Sequence, residues 1–170
     1  AELFINGKSY GKQSKNNSSL KSRYRLMWMD AVYEPGEVKV VAYNKDGKAV
    51  AEKTVRTAGK PHHIELVSNR NELTADGKDL AYVTVKVVDK DSNLCPTDSR
   101  LIHFSVKGAG KFRAVANGDP TNLEQFHLPK MHAFHGMLTA IVQAGEIAGD
   151  LVLTAKASGV KTGTVHLQAK

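Results

Sequence analysis

A regular alternation of apolar and polar residues constrains the fold of this chain more than any other feature. It is clearest in Leu80–Val88, where one face would carry only apolar side chains: Ala81, Val83, Val85 and Val87. A period of two indicates a half-buried β-strand, because successive side chains of a strand point to opposite faces of the sheet. Similar short runs recur along the chain, whereas helical periodicity is nearly absent. The pattern therefore predicts an all-β protein.

Turn residues divide these runs into separate strands. The predicted strands are Glu2–Ile5, Arg23–Met29, Glu37–Tyr43, Val50–Val55, His63–Val67, Leu80–Val88, Leu101–Val106, Phe112–Ala116, Met137–Val142, Leu151–Ala155 and Val165–Leu167. Gly, Asn, Asp or Pro follows most of them, as expected for chain reversals. In Arg23–Met29 the alternation predicts that Trp28 points into the core.

The segment Thr57–Pro61 predicts a linker, because it combines small residues, a glycine and a proline that cannot donate to a strand ladder. We therefore expect two immunoglobulin-like β-sandwich modules in tandem, residues 1–60 and 61–170. The second contains about seven strands, the number typical of such a sandwich. The first has four or five strands in 60 residues, and a core of that size is marginal alone. We expect its N-terminal part to lie upstream of Ala1.

Charge and composition exclude several classes of protein. The net charge is +7, but the excess of basic residues lies in residues 1–60, which hold 12 Lys or Arg and 6 Asp or Glu. Neither a recognition helix nor a stacking platform accompanies it, so we predict no nucleic-acid partner. No apolar run approaches the ~20 residues of a membrane helix, so no membrane insertion is expected. The single Cys95 cannot form an internal disulfide and is expected to be an inert thiol.

Several ordered segments resemble a known family. They are Glu2–Gly11, Met27–Met29, Tyr33–Glu37 and Thr54–Gly59 in the first module, and Ala75–Leu80, Gly108–Gly110 and Asn117–Thr121 in the second. The first set is similar to the immunoglobulin-like domain that follows the catalytic barrel in bacterial β-galactosidases of glycoside hydrolase family 2. The second set resembles the next module of those enzymes, which is related to the immunoglobulin-like repeats of bacterial adhesins such as invasin and intimin.

This resemblance implies a non-catalytic role. The two catalytic glutamates of such enzymes lie on the barrel, so the chain would be a C-terminal accessory region that supports or orients an upstream barrel, without a cofactor. Its partners would be the upstream domains of its own polypeptide, and its location periplasmic or extracellular. The alternatives are a carbohydrate-binding module that takes β-galactoside glycans, or a fragment of a surface adhesin or stalk.

The residues themselves give little sign of catalysis. A glycosidase needs two opposed carboxyl groups, and the acids here lie mainly in turns or beside lysines on strand faces. No Gly-x-Ser-x-Gly motif of a serine hydrolase is present. The cluster His127, His132 and His135, with Asp119 and Glu124 nearby, invites a zinc hypothesis, but the spacing matches no known site. We expect polar loop residues and no metal.

The segment Asn117–Gly136 is the longest stretch without a strand pattern, and long connections are often functional. We expect it to cap its own sandwich through Leu123, Phe126 and Leu128. The alternative is that it faces another domain or an active site, through Asn117, Gly118, Asp119, Pro120 and Phe126.

Glycan binding would require exposed aromatic rings. With Trp28 assigned to the core, the candidates for such a platform are Tyr10, Tyr33 and Tyr43.

Overall fold

The computed structural model describes all 170 residues and divides into two compact units, Ala1–Thr57 and Ala58–Lys170. The sequence placed the boundary after Lys60. The first unit contains β1 (Glu2–Ile5), β2 (Lys8–Lys12), α1 (Leu20–Tyr24), β3 (Glu37–Tyr43) and β4 (Ala49–Arg56). The second contains β5 (His63–Ser68), β6 (Glu72–Leu73), β7 (Leu80–Val88), β8 (Leu101–Gly108), β9 (Gly110–Ala116), β10 (Lys130–His132), β11 (Met137–Ala144), β12 (Gly149–Lys156) and β13 (Gly163–Ala169).

The first unit is a single antiparallel sheet with the strand order β2-β1-β3-β4. Leu3 and Ile5 alternate along β1 and are buried, as a half-buried strand requires. The β1–β2 hairpin turns at Asn6 and Gly7, whose φ angles are 48° and 80°. Asn and Gly tolerate this left-handed region better than other residues, which explains the Asn-Gly pair at this turn.

The predicted strand Arg23–Met29 is wrong. Helix α1 occupies its beginning, because the side chain of Ser19 caps the helix by accepting a hydrogen bond from the Ser22 N–H. Arg25 to Trp28 then follow an irregular path. The side chain of Gln13 donates to Met27 O at 2.7 Å and accepts from Met27 N at 3.2 Å, so it replaces a strand partner.

Trp28 is consequently not a core residue between two sheets. Its side chain is half-buried, and its indole N–H donates to the carbonyl of Gly11 at 2.9 Å. The tryptophan thus ties the irregular segment to strand β2.

The second unit is a β-sandwich. One sheet has the order β5-β7-β11-β9 and the other β10-β8-β12-β13-β6. All pairs are antiparallel except β13 and β6, which run parallel over two residues. The all-β prediction and the sandwich predicted for this part of the chain are therefore confirmed.

The core of the second unit fills the space between its sheets. The alternating face of β7 is fully buried, as predicted: Ala81, Val83, Val85 and Val87. The inward residues of β8, β11 and β12 pack with it: Ile102, Phe104, Leu138, Ala140, Val142, Leu151, Leu153 and Ala155. The rings of Phe104 and Phe112 stack with their centroids 5.8 Å apart. These contacts hold the strand ends, and the connections between them, in fixed positions.

Strand β10 extends the fold into the long segment after β9. Its three residues pair with β8, and Met131 is completely buried between two exposed neighbours. The single helix α1 has five residues, so no helix of this chain is long enough to cross a bilayer.

A matched pair of substitutions tests this account of the core. Leu151→Ala removes a fully buried side chain, and we expect it to lower the free energy of unfolding of the second unit by about 2–5 kcal/mol. Leu123→Ala makes the same chemical change at a side chain that is 97% exposed, and should alter stability by less than about 0.5 kcal/mol. Urea unfolding followed by circular dichroism measures both. Equal losses of stability in the two variants would contradict the assignment of Leu151 to the core and of Leu123 to the surface.

Candidate functional site

A polar groove of about 530 Å³ lies at one end of the sandwich of the second unit. The groove is shallow and largely open to solvent. Most of its wall comes from the connection between β9 and β11, and Ser99 joins it from the connection between β7 and β8. The lining residues are Ser99, Asn117, Asp119, Thr121, Asn122, Leu123, Glu124, His132, Ala133 and Phe134.

Asn117 joins the two sides of this groove. It follows the last residue of β9, and its side-chain amide donates to the carbonyl of His132 at 3.0 Å. Its side-chain oxygen accepts from the Asp119 N–H at 3.1 Å, which shapes the turn at Gly118, where φ is 78°. Because both ends of the amide are bonded, Asn117 positions the groove and has little capacity left for a ligand.

Asp119 is held as a carboxylate that faces the groove. One oxygen, Oδ1, accepts from the backbone N–H of Thr121 at 2.8 Å and from its hydroxyl at 2.7 Å. These hydrogen bonds lower the pKa of Asp119, and the nearby His135 adds a smaller effect in the same direction. The other oxygen, Oδ2, has no protein partner and is free to accept a hydrogen bond.

Glu124 fixes the opposite wall. Its Oε2 accepts from the backbone N–H of His132 at 3.1 Å, and its Oε1 lies 3.1 Å from Nδ1 of the same residue. The carboxylate therefore orients the imidazole and leaves Nε2 available. The neighbouring Asn122 accepts from the Glu124 N–H at 2.9 Å, but its side-chain nitrogen is buried without any hydrogen-bond partner.

Three large apolar side chains of this loop are exposed: Leu123 by 97%, Phe126 by 56% and Leu128 by 37%. We call these three residues the apolar rim. The hypothesis that they cap their own sandwich is wrong. Instead the loop is anchored by the hydrogen bond from Val115 N to Phe126 O and by the buried side chains of Met131 and Ala133.

The structure brings some of the predicted loop residues together at the groove. Asn117 and Asp119 line the groove, Gly118 and Pro120 lie in the turn beside it, and Phe126 belongs to the rim. Whether these residues face another domain stays a prediction. Sequence reasoning did not single out Ser99, which comes from the connection between β7 and β8, or Phe134, which lies near the end of the predicted segment.

The three histidines do not come together as metal ligands. His132 is bound to Glu124, whereas Nδ1 of His135 lies 3.3 Å from the carbonyl of Pro96. The structure contains no group of three or more His, Cys, Asp or Glu side chains that could hold a metal ion.

The candidate tyrosines of the first unit also remain separate. Tyr33 is 71% exposed, and its hydroxyl lies 3.2 Å from that of Thr57, next to the start of β3. Tyr43 is the last residue of β3, so about 20 Å of strand separates it from that site. Its hydroxyl donates to Glu2, and Tyr10 is half-buried on β2. The three rings cannot form one platform.

Every carboxyl group whose pKa is shifted in this structure is stabilised in its ionised form. The pKa lies below its usual value for Glu2, Asp76, Asp79, Asp89, Asp98 and Asp119. A glycosidase needs the opposite for one carboxyl group, because its general acid must stay protonated near neutral pH. None of these six groups is suited to that role.

Asp89 is the most strongly shifted of them, and it is structural. It is 2% exposed and directly follows β7, and its Oδ2 accepts from the N–H of Gly59 at 2.7 Å. Oδ1 accepts from the backbone N–H groups of Asp91 and Asn93, both at 2.9 Å. The bond from Gly59 is the largest cause that lowers the pKa of Asp89 to about 2, against the opposing effect of burial.

Cys95 lies beside this turn and is 3% exposed. Burial, together with the negative charges of Asp89 and Asp98, raises the pKa of its thiol. The thiolate needed for nucleophilic or redox chemistry is therefore disfavoured.

With this geometry established, comparison with known proteins defines the class. Residues 64–166 match the family described as glycoside hydrolase family 2 C-terminal domain 5, and residues 1–51 match a domain of unknown function, DUF4982. The chain belongs to the family of glycoside hydrolase family 2 C-terminal domains.

Individual relatives agree with this assignment. The chain is 42% identical to β-galactosidase BoGH2A of Bacteroides ovatus, over 99% of this chain and 19% of that protein. It is 26% identical to a β-glucuronidase of Formosa agariphila, over 99% of this chain and 17% of that protein. The crystal structure of a family 2 glycosyl hydrolase from Bacteroides cellulosilyticus superposes with a TM-score of 0.85 at 32% identity, covering 99% of this chain and 21% of that one. The chain spans about a fifth of the length of the curated relatives it matches.

The role of Asp89 can be tested by its pH dependence. Because the folded pKa of Asp89 is depressed to about 2, its stabilising contribution is complete above the unfolded value near 3.8 and disappears as the pH falls through about 2. Asp89→Asn should therefore lower the melting temperature by several degrees at pH 6, with a difference that shrinks between pH 4 and pH 2. Thermal unfolding of both proteins by circular dichroism measures this. Asp91→Asn, an exposed neighbour, is the control, and a difference independent of pH would contradict the account.

Proposed function

We propose that this chain is a non-catalytic accessory region of a family 2 glycoside hydrolase, and that it supports or orients the catalytic barrel of the same polypeptide. The observation that carries the proposal is the match over 99% of this chain to only about a fifth of longer glycosidases. The greater part of those relatives, absent from this chain, would supply the catalytic residues.

The proposed substrates of the whole enzyme are β-galactosides. The relative at 42% identity is named a β-galactosidase, and the relative at 26% identity is named a β-glucuronidase. The greater similarity favours the galactosidase. We also propose export to the periplasm or the cell surface, which rests on the resemblance of the second unit to adhesin modules.

The chemistry of the groove supports a non-catalytic role. Asp119 and Glu124 are two carboxylates in one groove, which is the minimum that glycoside hydrolysis needs. However, both oxygens of Glu124 are engaged by His132, and the pKa of Asp119 is lowered. Asp119 therefore does not meet the requirement for a protonated general acid, and the carboxylate of Glu124 is already bonded within the protein.

The apolar rim supports contact with another domain. Leu123, Phe126 and Leu128 lie within six residues of one loop, and their own sandwich leaves each of them at least 37% exposed. Burial of such side chains against a partner would remove them from water, which favours docking of this loop. In the accessory role, the partner of the rim would be the catalytic barrel.

A hydrolysis assay tests the proposal. The purified 170-residue chain should release no nitrophenol from 4-nitrophenyl β-D-galactoside above the buffer rate, whereas the polypeptide that includes the barrel should turn the substrate over. The same assay on periplasmic and cytosolic fractions of the native cells tests export.

Turnover by the chain alone would contradict the proposal, provided that Glu124→Gln abolishes it and Glu72→Gln does not. Glu72 is the matched control because it is an exposed glutamate on β6, paired only with Lys170 at the surface.

A further inference from the structure

We propose that the polar groove of the second unit is a binding site for one neutral sugar residue of a β-galactoside. The inference rests on the proposed function for the class of sugar, but the site itself follows from the geometry of the groove. It places glycan recognition in the second unit and not on the tyrosines of the first.

The free polar groups of the groove are suited to sugar hydroxyls. A hydroxyl both donates and accepts, so it pairs best with a mixture of donors and acceptors. Oδ2 of Asp119 accepts, and so does Nε2 of the neutral His132 ring, whose Nδ1–H donates to Glu124. The hydroxyl of Ser99 can donate or accept, and all three residues line the same groove.

These groups are also held in place before any ligand arrives. Thr121 fixes Asp119 through two hydrogen bonds, and Glu124 fixes the ring of His132. The amide of Asn117 joins the two walls through the carbonyl of His132. A site with fixed side chains loses less conformational entropy on binding, which favours weak ligands such as monosaccharides.

The groove also offers apolar surface to the carbon face of a sugar. Phe134 is half-buried in its wall, with its ring 4.2 Å from the ring of His135, and Leu123 stands exposed at the edge. An aromatic side chain beside convergent polar groups offers both kinds of contact that a sugar ring makes, to its carbon face and to its hydroxyls.

The negative charge in the groove should favour a neutral sugar over an acidic one. Asp119 is ionised, and Glu124 adds a second carboxyl group to the same groove. A uronic acid would bring a further negative charge close to these groups, and like charges repel each other at short range. The groove should therefore prefer a galactoside to the corresponding glucuronide.

The experiment is an NMR titration of the ¹⁵N-labelled 170-residue chain with methyl β-D-galactoside and, separately, with methyl β-D-glucuronide. We expect saturable shifts of amides around the groove, at Asn117, Asp119, Thr121 and Phe134, and weaker binding of the glucuronide. Asp119→Asn should weaken galactoside binding roughly tenfold, the effect of one lost hydrogen bond to a charged group. The same change at Asp150, an exposed residue of β12 at the other end of the sandwich, should have no effect.

A second variant distinguishes loss of binding from loss of the fold. Ser99→Ala removes a hydroxyl at an exposed position, so the fold should be retained while galactoside binding weakens. The proposal is overturned if no saturable shift appears, if the shifts lie in the first unit, if Asp119→Asn and Ser99→Ala both bind like the wild type, or if the glucuronide binds as tightly. Such failures would leave the accessory role intact, because that role is tested by hydrolysis and not by sugar binding.

Discussion

The packing of β7 and β11 against β8 and β12 is the interaction on which the rest of the second unit depends. Each strand contributes buried apolar side chains, such as Val83 in β7, Val142 in β11, Ile102 in β8 and Leu153 in β12. Burial of this apolar surface is the main favourable contribution to folding. It also fixes where each strand ends, and thereby where the loops that carry polar chemistry begin.

The groove is a direct consequence of this arrangement. Residue 117 directly follows β9, and residue 132 ends β10, so the two strands bring the amide of Asn117 to the carbonyl of His132. The loop between them is held at its base, where Met131 is buried. Its middle projects Leu123 into solvent. A rigid base with an exposed apolar tip is suited to contact with another domain, whereas the polar wall beside the tip is suited to a small ligand.

The sequence predicted the regular strands well and the irregular segments poorly. The bounds of β7 were predicted from its alternation of apolar and polar residues, because one face of that strand is buried and the other is not. Arg23–Met29 shows the same alternation without being a strand. Ser19 caps a short helix at the start of this segment, and the side chain of Gln13 bonds both backbone groups of Met27 from a distant part of the chain. Strand β10 has only three residues, too few to display a period.

The site was predictable only in part, for a similar reason. Asn117 and Asp119 could be chosen because they lie in a long connection rich in turn residues. Ser99 carries no local signal, because it lies in the connection between β7 and β8 and only the fold brings it to the groove. Phe134 lies within the predicted segment, but nothing in the sequence pattern distinguishes it from the other residues of that segment. Likewise, the sequence alone suggested that Leu123 and Phe126 would be covered, since apolar residues are buried on average. Their exposure became evident only from the fold.

The most direct test of the account is hydrogen–deuterium exchange of the loop between β9 and β10, in this chain and in the longer polypeptide that contains the catalytic barrel. If the apolar rim docks on the barrel, amides of residues 122–128 should exchange roughly tenfold more slowly in the longer polypeptide, while those of β7 should not change. Equal exchange of the loop in both proteins would contradict the claim that this surface supports the barrel.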